Sequence, residues 1–379
     1  MKSFTGIGTG KTQVAIEEAT RGLTEPKVIV VFAAVEDIEQ SCEILRNKYK
    51  DIDVIGIIGS SFNNGNIIDS SNFSGSERNN MVQVMAFFDD AEVSCGVMDR
   101  LDEVPLYTIR KFEEDLKKVN GNKDNTVCMG FVTDYEENFV STSKTILEKQ
   151  NIQLIGGIVS GCFGKDLQPF VMLNDKKYEH AAVYMFVKNK TGKIRTFRND
   201  TYVKATSQVM QITKVSGGKS QRVISEIDGR NTIQIFKEKF DINERNYDEK
   251  ALDFTLNTPL GIVIGDETYV ISVKSANSDG TVETYKKVYE GGAITFLEMG
   301  DYESMEKEVL EKIKRDLPKR SFVFSIDCLY RFVAYSKNGY LNEYVKGMST
   351  LGTHVGLIGL GEQNTHQHVN QTMICAVFE

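Results

Sequence analysis

One pattern recurs three times along the chain and limits what it can fold into. Residues 27–60 read as an apolar strand, KVIVVFAA, a helical stretch over 37–49, and a second strand, DVIGIIGS. Residues 125–160 repeat that order with NTVCMGFV, a helical stretch over 137–150, and IQLIGGIV followed by Ser160. Residues 321–361 repeat it with FVFSIDC, a helix through about 337–348, and VGLIGLGE. A further helical pattern precedes each copy, over 11–22, 105–118 and 303–317. Helices alternating with strands imply layered α/β packing. Hairpin-like strand pairs follow, among them MVQVMAFF with AEVSCGVM and QPFVML with HAAVYMFV, so the sheets are mixed rather than purely parallel. The expected fold class is α/β to α+β, with mixed β-sheets layered with helices.

At 379 residues the chain exceeds one ordinary core, and two domains are expected. The pattern changes around 190–205, which places the boundary near 200 and the domains at 1–200 and 201–379. Residues 206–240 read as strand, turn at Gly217-Gly218, strand, turn at Asp228-Gly229, then helix. Strands follow near 261–274 and 282–288. The Ser-, Asn- and Gly-rich stretch 60–80 reads as a long surface loop.

Net charge is -8, with Lys and Arg scattered among the acids. There is no basic stripe, which argues against nucleic acid. No apolar run approaches the roughly 20 residues that span a bilayer, and the first residues carry no apolar signal segment. Cys42, Cys95, Cys128, Cys162, Cys328 and Cys375 are spread singly. That usage is expected of reduced, mostly buried thiols in a cytoplasmic protein and disfavours zinc sites built on cysteine pairs.

The opening GIGTGKT resembles the end of a phosphate-binding loop. The full motif needs a glycine five residues before Gly10, but Thr5 stands there. Only Met1 to Phe4 precede it, too few for a central strand. The preferred reading is a Gly-rich lead-in to an amphipathic helix that places Val14, Ala15, Ala19 and Leu23 on one face.

Several stretches, in order, resemble the FIST family of paired sensory modules in prokaryotic signal transduction. In the N-terminal half, DVIGIIGS and QLIGGIVSG occupy the two Ile-Gly positions. In the C-terminal half, SQVMQITKVSGGKSQRVISEIDG resembles the opening of a FIST C domain, and GGAITFLEMGD its Gly-rich turn. FSIDCLYR carries Ser325, Cys328 and Arg331 in a family-like pattern, Glu343 follows, VGLIGLGE ends in Gly361-Glu362, and NQTMICAVF resembles the closing strand. The resemblance implies a sensor of small ligands, amino acids among them, that acts through a separate kinase, cyclase or chemoreceptor. It also implies an alternative, a haem-binding sensor of nitric oxide.

The candidate ligand-binding residues are Cys328, Arg331, Glu343, Gly361, Glu362, Gly156, Gly157 and Ser160. Arg331 offers a fork of donors that fits a carboxylate, or equally an internal salt bridge with Glu343 or Glu362. Glycines that end strands allow close approach by a ligand or by a neighbouring strand. His366 and His368 are metal or haem candidates, though a His-x-His pair without further ligands reads first as exposed loop. His180 begins a strand and His354 sits beside another; either could serve as a haem ligand, though each reads first as a core or surface histidine. The remaining reading is a thiol-dependent enzyme in which His366 or His368 activates Cys328. No nucleotide is expected. The ligand is expected to bind between the domains.

Overall fold

The computed structural model describes residues 1–71, 80–103, 106–243, 245–265, 267–365 and 367–379. They form two compact units. The first comprises Met1–Asn199, Lys307–His368 and Thr372–Glu379; the second comprises Asp200–Glu306 and Val369–Gln371. The residues expected to form a C-terminal half, 201–379, are therefore divided between both units. The reason is that the third copy of the repeated pattern is needed to complete the first unit.

Copy one runs β1 (Ser3–Thr9), α1 (Thr12–Ala19), β2 (Val28–Ala33), α2 (Ile38–Lys48), β3 (Asp53–Ile58), β4 (Ser61–Asn63), β5 (Asn66–Ile68) and β6 (Met81–Phe87). Copy two runs β7 (Ala91–Met98), α3 (Leu106–Val119), β8 (Thr126–Val132), α4 (Glu136–Gln150), β9 (Gln153–Ile158), β10 (Phe170–Leu173), β11 (Lys176–Glu179) and β12 (Ala182–Asn189). Copy three opens with β13 (Ile194–Asp200). The second unit is inserted next: β14 (Tyr202–Lys204), β15 (Met210–Ser216), β16 (Val223–Ile227), β17 (Arg230–Asn231), α5 (Thr232–Phe240), α6 (Tyr247–Asn257), β18 (Leu260–Ile264), β19 (Glu267–Ile271), β20 (Val273–Ala276), β21 (Val282–Thr284) and β22 (Ala293–Met299). Copy three then resumes with α7 (Tyr302–Asp316), β23 (Phe322–Cys328), α8 (Leu329–Lys337), α9 (Leu341–Ser349), β24 (Thr353–Gly359), β25 (Glu362–Asn364), β26 (Gln367–Val369) and β27 (Thr372–Phe378).

Each copy builds one six-stranded sheet of the same plan. A parallel pair forms the centre: β2–β3, β8–β9 or β23–β24. The copy's last strand lies beside the first of that pair, and its opening strand forms the edge beyond. The other edge is a hairpin lent by a different copy. Copy two lends β10–β11 to β3, copy one lends β4–β5 to β24, and copy three lends β25–β26 to β9. The three copies are thus closed on one another by exchange.

The first strand of each central pair is buried throughout, as the unbroken apolar runs VIVVFA and TVCMGFV require. Their inner faces share one core in which Phe32 and Phe131 both pack against Phe324, ring centroids 6.4 and 6.0 Å apart. The outer faces carry the helices. In the second unit, a nine-stranded sheet packs α5 and α6 around a core that includes Phe236, Phe254 and Phe296.

Three local expectations change. The Gly-rich start is itself an edge strand, β1, antiparallel to β6. The stretch 60–80 is not a plain loop: it holds the β4–β5 hairpin, while its residues 72–79 lie outside those described. The helix foreseen over about 337–348 is α9, and a helix not foreseen, α8, precedes it across Gly339, whose φ of +70° favours glycine.

Candidate functional site

The register of the three sheets places equivalent residues side by side. Val31, Gly130 and Ser325 each stand opposite a strand glycine, Gly56, Gly156 or Gly356. Two residues further on stand Ala33, Val132 and Asp327, and two before the glycines stand Val54, Leu154 and His354. Copies one and two are apolar at these positions apart from Gly130. Copy three has Ser325, Asp327 and His354, all buried.

Alternation along β23 turns Ser325 and Asp327 to one face, under α8 and α9. Gly356 leaves room for them: a Cβ there would stand 2.5 Å from Ser325 Oγ and 2.8 Å from Phe62 Cδ2. Because α8 begins directly after β23, Arg331 falls one turn beyond Asp327, and Tyr335 one turn beyond Arg331. α9 contributes Tyr344. Phe62, from the hairpin of copy one, stacks on His354 with centroids 6.1 Å apart.

These side chains form one network. Ser325 Oγ donates to Asp327 Oδ2 at 2.9 Å and lies 2.9 Å from His354 Nε2. A hydroxyl has one proton, so with that proton on Asp327 the imidazole carries its hydrogen on Nε2 and donates to Ser325. His354 Nδ1 then presents a buried lone pair with no partner among the described residues. Tyr344 donates its hydroxyl to Asp327 Oδ1, and Arg331 Nε lies 3.6 Å from that same oxygen. The Arg331 guanidinium sits 4.9 Å from the Tyr335 ring centroid and 5.3 Å from that of Tyr344. Serine stands between histidine and aspartate, so the order is not that of a hydrolytic triad, in which histidine bridges the other two.

Burial sets the charges. It raises the Asp327 carboxyl to about 7, against the lowering pull of the Tyr344 and Ser325 hydrogen bonds. It lowers His354 to about 3, so the imidazole is neutral. It pushes the Tyr344 hydroxyl well up, with the Asp327 charge acting in the same direction. Glu362, fully buried, is raised well above the usual carboxylate range, chiefly by burial, and Asp327 and Cys328 are among its neighbours. Thr372 donates both its N–H and its hydroxyl to Glu362 Oε2, at 3.2 and 2.7 Å, and the Cys328 thiol is a further hydrogen-bond partner of this carboxyl group. Burial thus works against the charged forms of both Asp327 and Glu362 in this cluster.

Of the residues named from sequence, Cys328, Arg331 and Glu362 come together here. Gly156, Gly157, Ser160 and Gly361 lie where the copies meet. Ser160 Oγ donates to the Ile358 carbonyl, Gly361 O accepts from Ile158 N at 3.0 Å, and a Cβ on Gly157 would strike Ile326. Glu343 stands apart on the exposed face of α9. His366 lies outside the described residues. His368 is buried, with Nε2 3.7 Å from Glu136 Oε1, so it is not an exposed loop histidine. His180 Nδ1 pairs with Asp134 Oδ2 at 2.7 Å. Sequence reasoning missed Asp327, Tyr335 and Tyr344. Its usable signal was two polar residues at alternate positions of an otherwise apolar strand, FVFSIDC.

The family model of the FIST N domain matches residues 27–230, more than half of the chain. The chain belongs to the FIST family. FIST domains are sensory domains of signal transduction. The FIST N match begins at the strand that becomes β2 and runs through copies one and two into the second unit. No curated protein matches the chain. Among the described residues of this FIST protein, no helix is long and apolar enough to cross a membrane.

Proposed function

We propose that this FIST protein is a sensor whose small polar ligand is read by the polar cluster of copy three. The reading follows from the break in the threefold plan: three positions that copies one and two leave without polar side chains are serine, aspartate and histidine in copy three. Buried polar groups cost stability unless partnered, and His354 Nδ1 has no partner among the described residues. Arg331 supplies charge for a carboxylate, the tyrosines supply walls, and the Glu362 carboxyl supplies a hydrogen-bonding group. An amino acid carries the matching groups. The cluster is closed beneath α8 and α9, so a ligand enters by displacing these helices around Gly339. That displacement is the signal passed to a separate output protein such as a kinase, cyclase or chemoreceptor, and residues 201–379 include the FIST C part of the module.

The test is a thermal-shift screen of the twenty amino acids against the full chain and its Arg331→Met variant. A ligand at a hundred times its Kd adds about 2.7 kcal/mol of stability. At least one amino acid is expected to raise the Tm of the wild type and not of the variant. No shift with any of them, or equal shifts in both proteins, would overturn the reading.

A further inference from the structure

The lent hairpins are fastened in the same way in all three sheets. The residue at each hairpin tip bonds twice to the backbone of the strand residue two places before the strand glycine. Asn64 N donates to the His354 carbonyl and His354 N donates to Asn64 Oδ1, both at 2.9 Å. Asn174 N donates to the Val54 carbonyl at 2.6 Å, and Val54 N donates to Asn174 Oδ1 at 2.9 Å. Thr365 N donates to the Leu154 carbonyl at 3.0 Å, and Leu154 N donates to Thr365 Oγ1 at 3.2 Å. Asparagine suits the first two tips. It tolerates the left-handed backbone there, φ +45° at Asn64 and +60° at Asn174, and carries an acceptor on a short side chain.

What differs is the residue held. Val54 and Leu154 are apolar core residues, so in their sheets the clamp fastens the exchange. In copy three's sheet it holds His354, whose Nε2 stands 2.9 Å from Ser325 Oγ. A hydrogen bond weakens steeply with misalignment, so the backbone position at 354 decides whether this one forms. The same hairpin also holds the ring. Phe62, two residues before Asn64, stacks on the imidazole at 26° between planes. Between them, Asn63 pairs with Val355, the residue after His354. Copy one thus sets both the backbone and the ring of a histidine whose partner, Ser325, belongs to copy three.

We propose that Asn64 is a positioning residue of the copy-three cluster, acting through the His354 backbone to keep Nε2 on Ser325 and Nδ1 as an acceptor without a partner among the described residues. Polar sites keep their geometry only where such supporting bonds lock them. The part that Asn64 plays in recognition rests on the ligand-reading function proposed above; its hold on the imidazole does not.

The test compares Asn64→Gly with Asn174→Gly in the full chain. Glycine keeps the left-handed turn and removes only the side-chain acceptor, so both variants are expected to fold and to lose similar stability. The readout is the long-range proton–nitrogen correlation spectrum of the histidine rings in the ligand-free protein, with the His354 signals assigned by their loss in His354→Gln. The wild type is expected to show a neutral His354 ring protonated on Nε2. Asn64→Gly is expected to shift or broaden these signals, and Asn64→Asp, which restores the acceptor, to return them. Asn174→Gly is expected to leave them in place. In the thermal-shift screen the amino-acid response is expected to fall in Asn64→Gly and to persist in Asn174→Gly. His354 signals that do not move in Asn64→Gly, or that move equally in both variants, would overturn the inference. The spectrum is read without ligand, so it decides the inference even where the screen shows no response, a result that counts against the recognition reading alone.

Discussion

At the scale of single residues, the copy-three cluster trades stability for buried polarity. His354 is the clearest case. Its imidazole titrates near 6.5 when unfolded and at about 3 in the fold, so the unfolded chain takes up the proton first. Its contribution is present above about pH 6.5 and is lost as pH falls towards 3, at a limiting slope of about 1.4 kcal/mol per pH unit. Asp327 acts in the opposite sense. Its carboxyl is raised to about 7, so its contribution is full below its unfolded value near 4 and is lost as pH rises through 7. Urea unfolding from pH 4 to 8 checks both signs. His354→Gln is expected to lose less stability than wild type between pH 6.5 and 4. An unchanged acid limb would contradict the burial of a neutral imidazole.

At the scale of elements, the apolar runs of β2, β3, β8, β9, β23 and β24 were legible because strands buried on both faces need no polar alternation. The first strand was not legible. SFTGIGT is polar and Gly-rich, and its pairing with β6 is a contact between residues far apart in sequence. Its glycines are explained by packing under α1. A Cβ on Gly6 would stand 2.1 Å from the Ala19 carbonyl oxygen, and one on Gly8 would stand 1.8 Å from that of Ala15. Since the atoms met are backbone, Gly8→Ala is expected to destabilise by about 2–3 kcal/mol, at the upper end of ordinary overpacking. Chemical denaturation measures this, and a loss below about 0.5 kcal/mol would mean that α1 does not lie on β1 as described. Of the site, Cys328, Arg331 and Glu362 were legible from their motifs. Asp327 and Tyr344 were not, because their partnership depends on how α9 folds back over β23.

At the scale of the whole molecule, the repeat was visible in sequence as three strand–helix–strand units. The exchange of hairpins was not, since 61–68, 170–179 and 362–369 carry little apolar periodicity and find their partners in other copies. The exchange makes the first unit indivisible. A fragment of residues 1–199 lacks β23, β24 and β27, and with them Phe322, Phe324, Ile326, Val355 and Leu357 of the shared core. It is expected to unfold without cooperativity and to bind a hydrophobic dye, as loosely packed states do. A sharp two-state transition of that fragment would contradict the closed threefold unit.

The central claim is that the polar cluster of copy three serves ligand recognition and not the fold. The most direct test replaces it as a set, with S325V, D327A and H354V taken from the copy-one residues Val31, Ala33 and Val54, and with R331M and Y344F removing the charge and hydroxyl that would otherwise lose partners. Buried ion pairs are often replaced by apolar residues without loss of stability. The thermal unfolding of this variant is to be measured alone and with the amino acid that stabilises the wild type. The account predicts a Tm equal to or above that of the wild type and no response to the ligand. A variant that fails to fold, or one that still responds, would contradict it.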